Sequence, residues 1–236
     1  MITSALRTQG LVAGYGSSDV LRDVTIDLPV GEVTAVVGPN GAGKSTLMKV
    51  LAGVHPARAG IIELFETDVT HIDTRGRLAL GLSLCPERRR IFPGMSVEEN
   101  LLCGAVTIKP SLARERLQRS FERFPWLKER RRSVSGNLSG GQQQMLAICR
   151  AVMTEPALLC LDEPSLGLSP RVILEVADLI RELATKDMTI LIVEQNVSLG
   201  LKIADRVHVL NQGEIVRSGT AEELRQGTEL VDAYLG

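Results

Sequence analysis

The chain has 236 residues, of which 44% are hydrophobic and 23% charged, and its formal net charge is −1. This length and composition predict one folded domain with a substantial core. The near-neutral charge argues against a nucleic-acid-binding protein, and no apolar run approaches the roughly 18 residues of a membrane-spanning helix. Cys85, Cys103, Cys149 and Cys160 lack the spacing of a metal site, so we expect free thiols and a reducing compartment.

The first informative element is an apolar strand followed by a glycine-rich loop. Residues 33–37 are β-branched or small and predict a buried strand, and residues 45–52 predict a helix closed by Gly53. Between them lies the sequence GPNGAGKS, the phosphate loop (residues 38–45). Its glycines let backbone N–H groups face phosphate oxygens, Lys44 neutralises phosphate charge, and the Ser45 hydroxyl ligates Mg²⁺. The predicted nucleotide contacts are Gly38, Pro39, Asn40, Gly41, Ala42, Gly43, Lys44, Ser45 and Thr46.

The middle of the chain differs in character. Residues 96–150 have helical spacing and many charges, as in 112–117 and 128–132. We interpret this part as a helical subdomain, residues 87–150, inserted into an α/β core of residues 1–86 and 151–236 within a single domain.

Inside that region, residues 138–142 have the sequence LSGGQ, here called the signature loop. A helix is predicted over 142–153, so the amides at its start and the Ser139 hydroxyl can form a second anion site. That site would use Ser139, Gly140, Gly141 and Gln142. A simple turn with a helix N-cap is the alternative.

An acidic pair, Asp162 and Glu163, ends the apolar run 157–161. A strand end would place Asp162 near Mg²⁺ and let Glu163 polarise a water in line with the γ-phosphate. An acidic pair at a helix start is the alternative, because Pro164 and Ser165 follow.

The remaining elements complete a parallel sheet. A helix predicted over 170–184 joins the apolar run 157–161 to the run 188–193, which is a strand–helix–strand unit. Residues 207–210 and 214–216 flank an Asn-Gln-Gly turn and predict a hairpin.

The phosphate loop, the signature loop and the acidic pair, in this order, resemble the ATP-binding-cassette (ABC) ATPases over essentially the whole chain. The resemblance implies an α/β P-loop fold with a mostly parallel sheet, an N-terminal antiparallel β part and the inserted helical subdomain. It implies hydrolysis of ATP with Mg²⁺, and adenine stacking on Tyr15. It also implies two subunits that sandwich two nucleotides, the signature loop of each capping the γ-phosphate bound to the other.

The chain departs from the family at three positions. Glu87 stands where the family has a Mg²⁺-binding glutamine, and the arginines at 88–90 either offset its charge or form a solvated face. Gln195 stands where the family has a histidine; it can donate a hydrogen bond to the γ-phosphate but carries no charge. Ser169 replaces an aspartate that signals between subunits.

Residues 86–87, 165–168, 194–196 and 233–236 resemble one subfamily, the LivF-type ATPases of bacterial branched-chain amino acid importers. The resemblance implies a peripheral subunit on the cytoplasmic face of the inner membrane. Its partners would be permease subunits, a related second ATPase or a second copy of itself, and indirectly a periplasmic solute-binding protein; nucleic acid is not expected. ATPases of urea and short-chain amide importers are the alternative. Three other classes fit less well. A chromosome or repair ATPase would carry a long coiled-coil insertion, and a translation ABC protein usually carries two cassettes in one chain. A small-molecule kinase would share the phosphate loop but would have no use for the signature loop.

Overall fold

The computed structural model describes residues 2–88, 90–185 and 187–226. Its strands are β1 (Ser4–Tyr15), β2 (Ser18–Pro29), β3 (Val33–Val37), β4 (Ala59–Leu64), β5 (Thr67–Asp68), β6 (Leu82–Cys85), β7 (Leu158–Asp162), β8 (Thr189–Glu194), β9 (Arg206–Asn211) and β10 (Glu214–Thr220). Its α-helices are α1 (Lys44–Leu51), α2 (Thr74–Ala79), α3 (Val97–Cys103), α4 (Pro110–Arg123), α5 (Pro125–Glu129), α6 (Gly140–Ala151), α7 (Pro170–Leu183), α8 (Val197–Ile203) and α9 (Ala221–Gln226).

The strands form two sheets. The first has the order β2-β1-β4-β5 and is antiparallel, and the second has the order β10-β9-β3-β8-β7-β6. In the second sheet only the β9–β10 pair is antiparallel. The expected mostly parallel sheet with an antiparallel N-terminal part is therefore confirmed.

Strand β3 lies at the centre of the second sheet, between β8 and β9. All five of its residues are buried, which explains the absence of polar alternation in its sequence. Val33, Ala35 and Val37 pack into one core, and Val36 packs into a second core on the opposite face. The phosphate loop therefore follows a strand that is buried along its whole length.

The helical region packs on one core through apolar positions spaced along its helices. Helix α4 buries Ala113, Leu117 and Phe121, one face of an otherwise charged helix. The buried amide of Asn100 on α3 ties the loops of this region together: it donates to the carbonyls of Phe92 and Ser96, and its oxygen accepts from the Phe92 N–H. Hydrogen bonds of a buried side-chain amide, and not apolar packing alone, thus hold the loops of the helical region in place.

Several expectations are refined by the structure. Helix α6 begins at Gly140, two residues before the predicted start, because Ser139 caps it, and it ends at Ala151 before a 3₁₀ turn. The predicted hairpin is β9–β10, joined by Gln212 and Gly213, both with positive φ.

All four cysteine thiols are free. Burial raises the pKa of Cys85, Cys149 and Cys160 to about 12, so these thiols stay protonated and inert. In the described ranges no helix is long and apolar enough to cross a membrane.

Candidate active site

The phosphate loop links β3 to α1 and is shaped by close backbone contacts. Gly41 and Gly43 have φ values of 82° and 111°, which side chains other than glycine rarely adopt. A Cβ atom at Gly38 would lie 2.1 Å from the carbonyl oxygen of Leu210. The glycines are therefore required by the path of the loop, and they leave its N–H groups free of side-chain cover.

Lys44, the first residue of α1, is only 4% exposed. Its Nζ donates to the carbonyl oxygens of Gly38 and Pro39, at 2.9 and 3.1 Å. It also pairs with Oε1 of Glu163 at 3.2 Å. The structure thus brings the phosphate-loop cation and the second carboxylate of the acidic pair into direct contact.

Asp162 is the last residue of β7 and is 8% exposed. Burial, followed by the carboxylates of Glu163 and Glu87, raises the pKa of Asp162 to about 6. Its Oδ1 atom has no hydrogen-bond partner in the part of the chain that the structure describes. A buried, unpartnered oxygen among other carboxylates fits a bound cation, which would remove both the repulsion and the unmet acceptor.

A cleft of about 250 Å³ opens over the phosphate loop. Glu87 and Glu163 line it together with loop residues, including Ser45 and Thr46. Residues 2–88, 90–185 and 187–226 hold no cluster of three His, Cys, Asp or Glu side chains suited to a metal. A cation here would therefore rely on the Ser45 hydroxyl and on oxygens of a bound phosphate besides the carboxylates.

Arg88 pairs with Glu87 at 3.2 Å, but its side chain is 83% exposed, so solvent weakens the compensation of charge. Arg90 contributes a backbone carbonyl that accepts from Arg150. Arg89 lies outside the described residues, as do residues 233–236 at the end of the chain.

The signature loop forms a capping box at the start of α6. The Ser139 hydroxyl oxygen accepts from the Gln142 N–H at 3.3 Å, and the Gln142 side-chain oxygen accepts from the Ser139 N–H at 3.1 Å. The N-cap alternative is therefore realised, yet the Ser139 side chain is exposed and its hydroxyl hydrogen stays available to a ligand. Gly141 faces Val172 on α7, and a Cβ atom there would lie 2.3 Å from Val172 Cγ1.

The other predicted positions lie at the edges of this region. Gln195 is exposed directly after β8, and Ser169 is the N-cap of α7 without a side-chain capping bond. Tyr15 is 47% exposed at the end of β1, and its ring lies 4.5 Å from the ring of His55 between centroids. His55 also hydrogen-bonds the carbonyl oxygen of Gly14, which fixes the backbone next to Tyr15.

Sequence reasoning missed one buried carboxylate, Glu194, the residue before Gln195. Its two oxygens accept from the N–H and the hydroxyl of Ser165, at 3.0 and 2.9 Å. The only sequence signal was an acidic residue at the end of an otherwise apolar strand, and that signal did not indicate its partner.

The chain is similar in sequence to a known protein family and to several individual proteins. Residues 21–166 match the ABC transporter family. The chain is 40% identical over 94% of its length, and 95% of the relative's, to the "High-affinity branched-chain amino acid transport ATP-binding protein BraG" of Pseudomonas aeruginosa. It is 38% identical to the "Probable branched-chain amino acid transport ATP-binding protein LivF" of Archaeoglobus fulgidus, covering 98% of both chains. It is also 30% identical to the "Lipopolysaccharide export system ATP-binding protein LptB" of Escherichia coli, over 99% of this chain and 98% of that one.

Solved structures give the same picture. A nucleotide-free ATP-binding cassette from an ABC transporter superposes with a TM-score of 0.87 at 30% identity, covering 99% of both chains. The ADP conformation of an ATP-binding cassette superposes with a TM-score of 0.86 at 29% identity, again covering 99% of both chains.

Proposed function

The chain belongs to the ABC transporter family, and we propose that it is the ATP-hydrolysing subunit of an importer for branched-chain amino acids. Family membership makes it a nucleotide-binding ATPase that powers transport through membrane subunits. The observation that carries the choice of solute is the 40% identity to BraG, against 30% for the lipopolysaccharide-export relative. Because of that second similarity, lipopolysaccharide export is the competing function, and the experiment below distinguishes it from amino acid import.

In the proposed mechanism the phosphates of ATP lie on the phosphate loop and Lys44 holds the β- and γ-phosphates. Mg²⁺ would be held by the Ser45 hydroxyl and the carboxylates of Glu87 and Asp162, where it would neutralise phosphate charge. The unpartnered oxygen of Asp162 supports this assignment. Tyr15 would stack on the adenine, since its exposed ring is already oriented by His55.

Glu163 is the proposed general base. Its pairing with Lys44 at 3.2 Å shows that it reaches the space above the phosphate loop. When the γ-phosphate takes Lys44 as its partner, the Glu163 carboxylate is left to accept a proton from the attacking water. Gln195 would donate an amide hydrogen to the γ-phosphate, a neutral contact in place of a charged one.

The signature loop supplies the second half of the site. The Ser139 oxygen accepts from the Gln142 N–H, which leaves its O–H free to donate to an oxygen of a phosphate. Such a donor completes a γ-phosphate site on another subunit, either a second copy of the chain or a related ATPase. ATP binding would close the pair, and hydrolysis would reopen it.

A groove of about 570 Å³ supports the proposed contact with a permease on the cytoplasmic face of the membrane. It runs between the core and the helical region, with Leu78, Leu84 and Ala147 in its lining. Phe92 and Val106 lie on its rim and are 45% and 77% exposed. An apolar surface at this junction suits a helix from a membrane subunit that must follow the motion of both parts.

Uptake of labelled leucine by cells lacking this gene tests the proposal. We expect uptake to fall, to return with the parental gene, and to stay low with Glu163→Gln. Val106→Asp should restore neither uptake nor stimulation of ATPase activity by the permeases, while the isolated chain keeps its basal turnover. Normal leucine uptake in the deletion strain, with a defect in urea uptake or in lipopolysaccharide export instead, would reassign the solute.

A further inference from the structure

The end of β8 holds two functional segments at once. The carbonyl oxygen of Glu194 accepts from the N–H of Gly38, the first residue of the phosphate loop, at 3.2 Å. The preceding carbonyl, of Val193, accepts from the N–H of Glu163 at 3.0 Å. The backbone of two adjacent residues therefore fixes the phosphate loop and the acidic pair relative to each other.

The side chain of Glu194 extends this arrangement to the turn that follows the acidic pair. One carboxylate oxygen accepts from the Ser165 N–H at 3.0 Å and the other accepts from the Ser165 hydroxyl at 2.9 Å. Glu194 is 2% exposed, and it has no ion-pair partner in the described part of the chain. Burial, together with the nearby Glu163 carboxylate, raises the pKa of Glu194, while hydrogen bonds from Ser165 and from the backbone of Asn196 oppose the shift. Burying a carboxylate without a cationic partner is costly, so the hydrogen bonds to Glu194 are needed to keep it in this position.

The turn that it holds is strained. Glu163 has a φ of 47°, in the left-handed region that residues other than glycine rarely adopt. Such a conformation persists only where surrounding contacts over-determine it. The N–H of Glu163 is fixed by Val193, and the other end of the turn is fixed by the Glu194 carboxylate.

We propose that Glu194 is a positioning residue, which clamps Ser165 and thereby holds Glu163 in its strained, cleft-facing conformation. Charge-assisted bonds from a carboxylate suit this task because they are about twice as strong as neutral ones. The clamp acts through hydrogen bonds and not through contact with the nucleotide. The inference rests on the proposed role of Glu163 as the general base.

Two alanine variants and their combination test the clamp. Glu194→Ala removes both bonds to Ser165, so kcat should fall about tenfold or more, because a small misplacement of a catalytic group is costly. The KM for ATP and the Kd for ATP should stay within about twofold, since Gly38 of the phosphate loop bonds to the backbone carbonyl of residue 194, which the substitution keeps. Ser165→Ala removes one bond and should give a smaller fall in kcat, and the double variant should be no slower than Glu194→Ala.

The conservative variant provides rescue. In Glu194→Gln the amide oxygen can accept from the Ser165 N–H while the amide nitrogen donates to the hydroxyl, so most of the parental kcat should remain. Glu129→Ala, on an exposed helix end, is the matched control and should leave kcat unchanged. If Glu194→Ala does not fold, Ser165→Ala and Glu194→Gln decide the question by the same comparison.

The outcomes separate the clamp from the mechanism on which it rests. Parental turnover in Glu163→Gln would refute the general base itself. Loss of turnover in Glu163→Gln with parental kcat in Glu194→Ala, or in Ser165→Ala where only that variant folds, would overturn the clamp alone. Equal losses in ATP affinity and kcat, or additive losses in the double variant, would also overturn it, because they indicate general disruption.

Discussion

Helix propensity alone predicts that Gly141→Ala in the signature loop stabilises the protein, but the packing around Gly141 predicts that it destabilises it. At a position on a helix, replacing glycine by alanine stabilises a protein by about 1 kcal/mol through helix propensity. Here the added Cβ would lie 2.3 Å from Val172 Cγ1 and 3.2 Å from Cγ2, well inside contact distance. Overpacking costs about 1–3 kcal/mol, and a contact as short as 2.3 Å with a stiff β-branched side chain belongs to the upper part of that range, about 2–3 kcal/mol. After the propensity gain of about 1 kcal/mol, Gly141→Ala should therefore lower the free energy of unfolding by roughly 1–2 kcal/mol.

Urea unfolding followed by far-UV circular dichroism, without nucleotide, measures this difference. Val172→Ala removes both clashing methyl carbons, so the cost of Gly141→Ala should shrink markedly in that background. Gly94→Ala serves as a control, since a Cβ atom there meets nothing within 4 Å. A Gly141→Ala variant as stable as the parent, or an equal cost with and without Val172, would refute the steric argument for close packing of α6 against α7.

Three further outcomes follow from the same geometry. Arg77→Lys should lower the free energy of unfolding by about 2–3 kcal/mol in urea titrations. The buried guanidinium donates hydrogen bonds to carbonyls at the end of α1, including those of Val50 and Leu51, and an ammonium cannot reach them all. An unchanged unfolding midpoint would contradict this. Tyr15→Ala should raise the Kd for ATP about tenfold in calorimetry, while the affinity for inorganic triphosphate stays constant. Tyr15→Phe keeps the ring and should bind ATP as the parent does. If Tyr15→Ala weakened the binding of ATP and of triphosphate equally, stacking would be excluded. Burial raises the pKa of Asp162 from 3.8 to about 6, so its contribution favours the folded state below about pH 4 and is lost as pH rises from there through about 6. Without Mg²⁺, Asp162→Asn should therefore be more stable than the parent at pH 8 in urea titrations, and this advantage should shrink steadily as pH falls from about 6 towards 4; an advantage that does not change with pH would contradict this.

The elements that sequence predicted best are those whose cause is local. Residues 33–37 form a strand as predicted because every position is β-branched or small and glycines bound the segment. The phosphate loop and the start of α1 follow from contiguous residues, so motif and geometry coincide. The start of α6 was predicted two residues too late, at 142, although Ser139 and Gln142 have the spacing of a capping box that marks it.

The elements that sequence did not predict depend on contacts between distant segments. The pairing of Glu194 with Ser165 requires β7 and β8 to be neighbours, and no local pattern states which partner a strand-end carboxylate meets. The ring of His55 lies against Tyr15 only because the segment after α1 returns to the end of β1. Strand β1 itself was obscured because its pairing with β2 shifts register several times, which breaks the alternation of apolar residues.

The most direct test of the central claim, a γ-phosphate site shared between subunits, is ATP turnover per chain as a function of chain concentration. Turnover that requires Glu163 should rise with concentration and level off as mass measurements show a dimer, and Ser139→Ala should suppress the rise. Constant Glu163-dependent turnover by a chain that remains monomeric with ATP would contradict the claim, because one subunit would then complete the site alone.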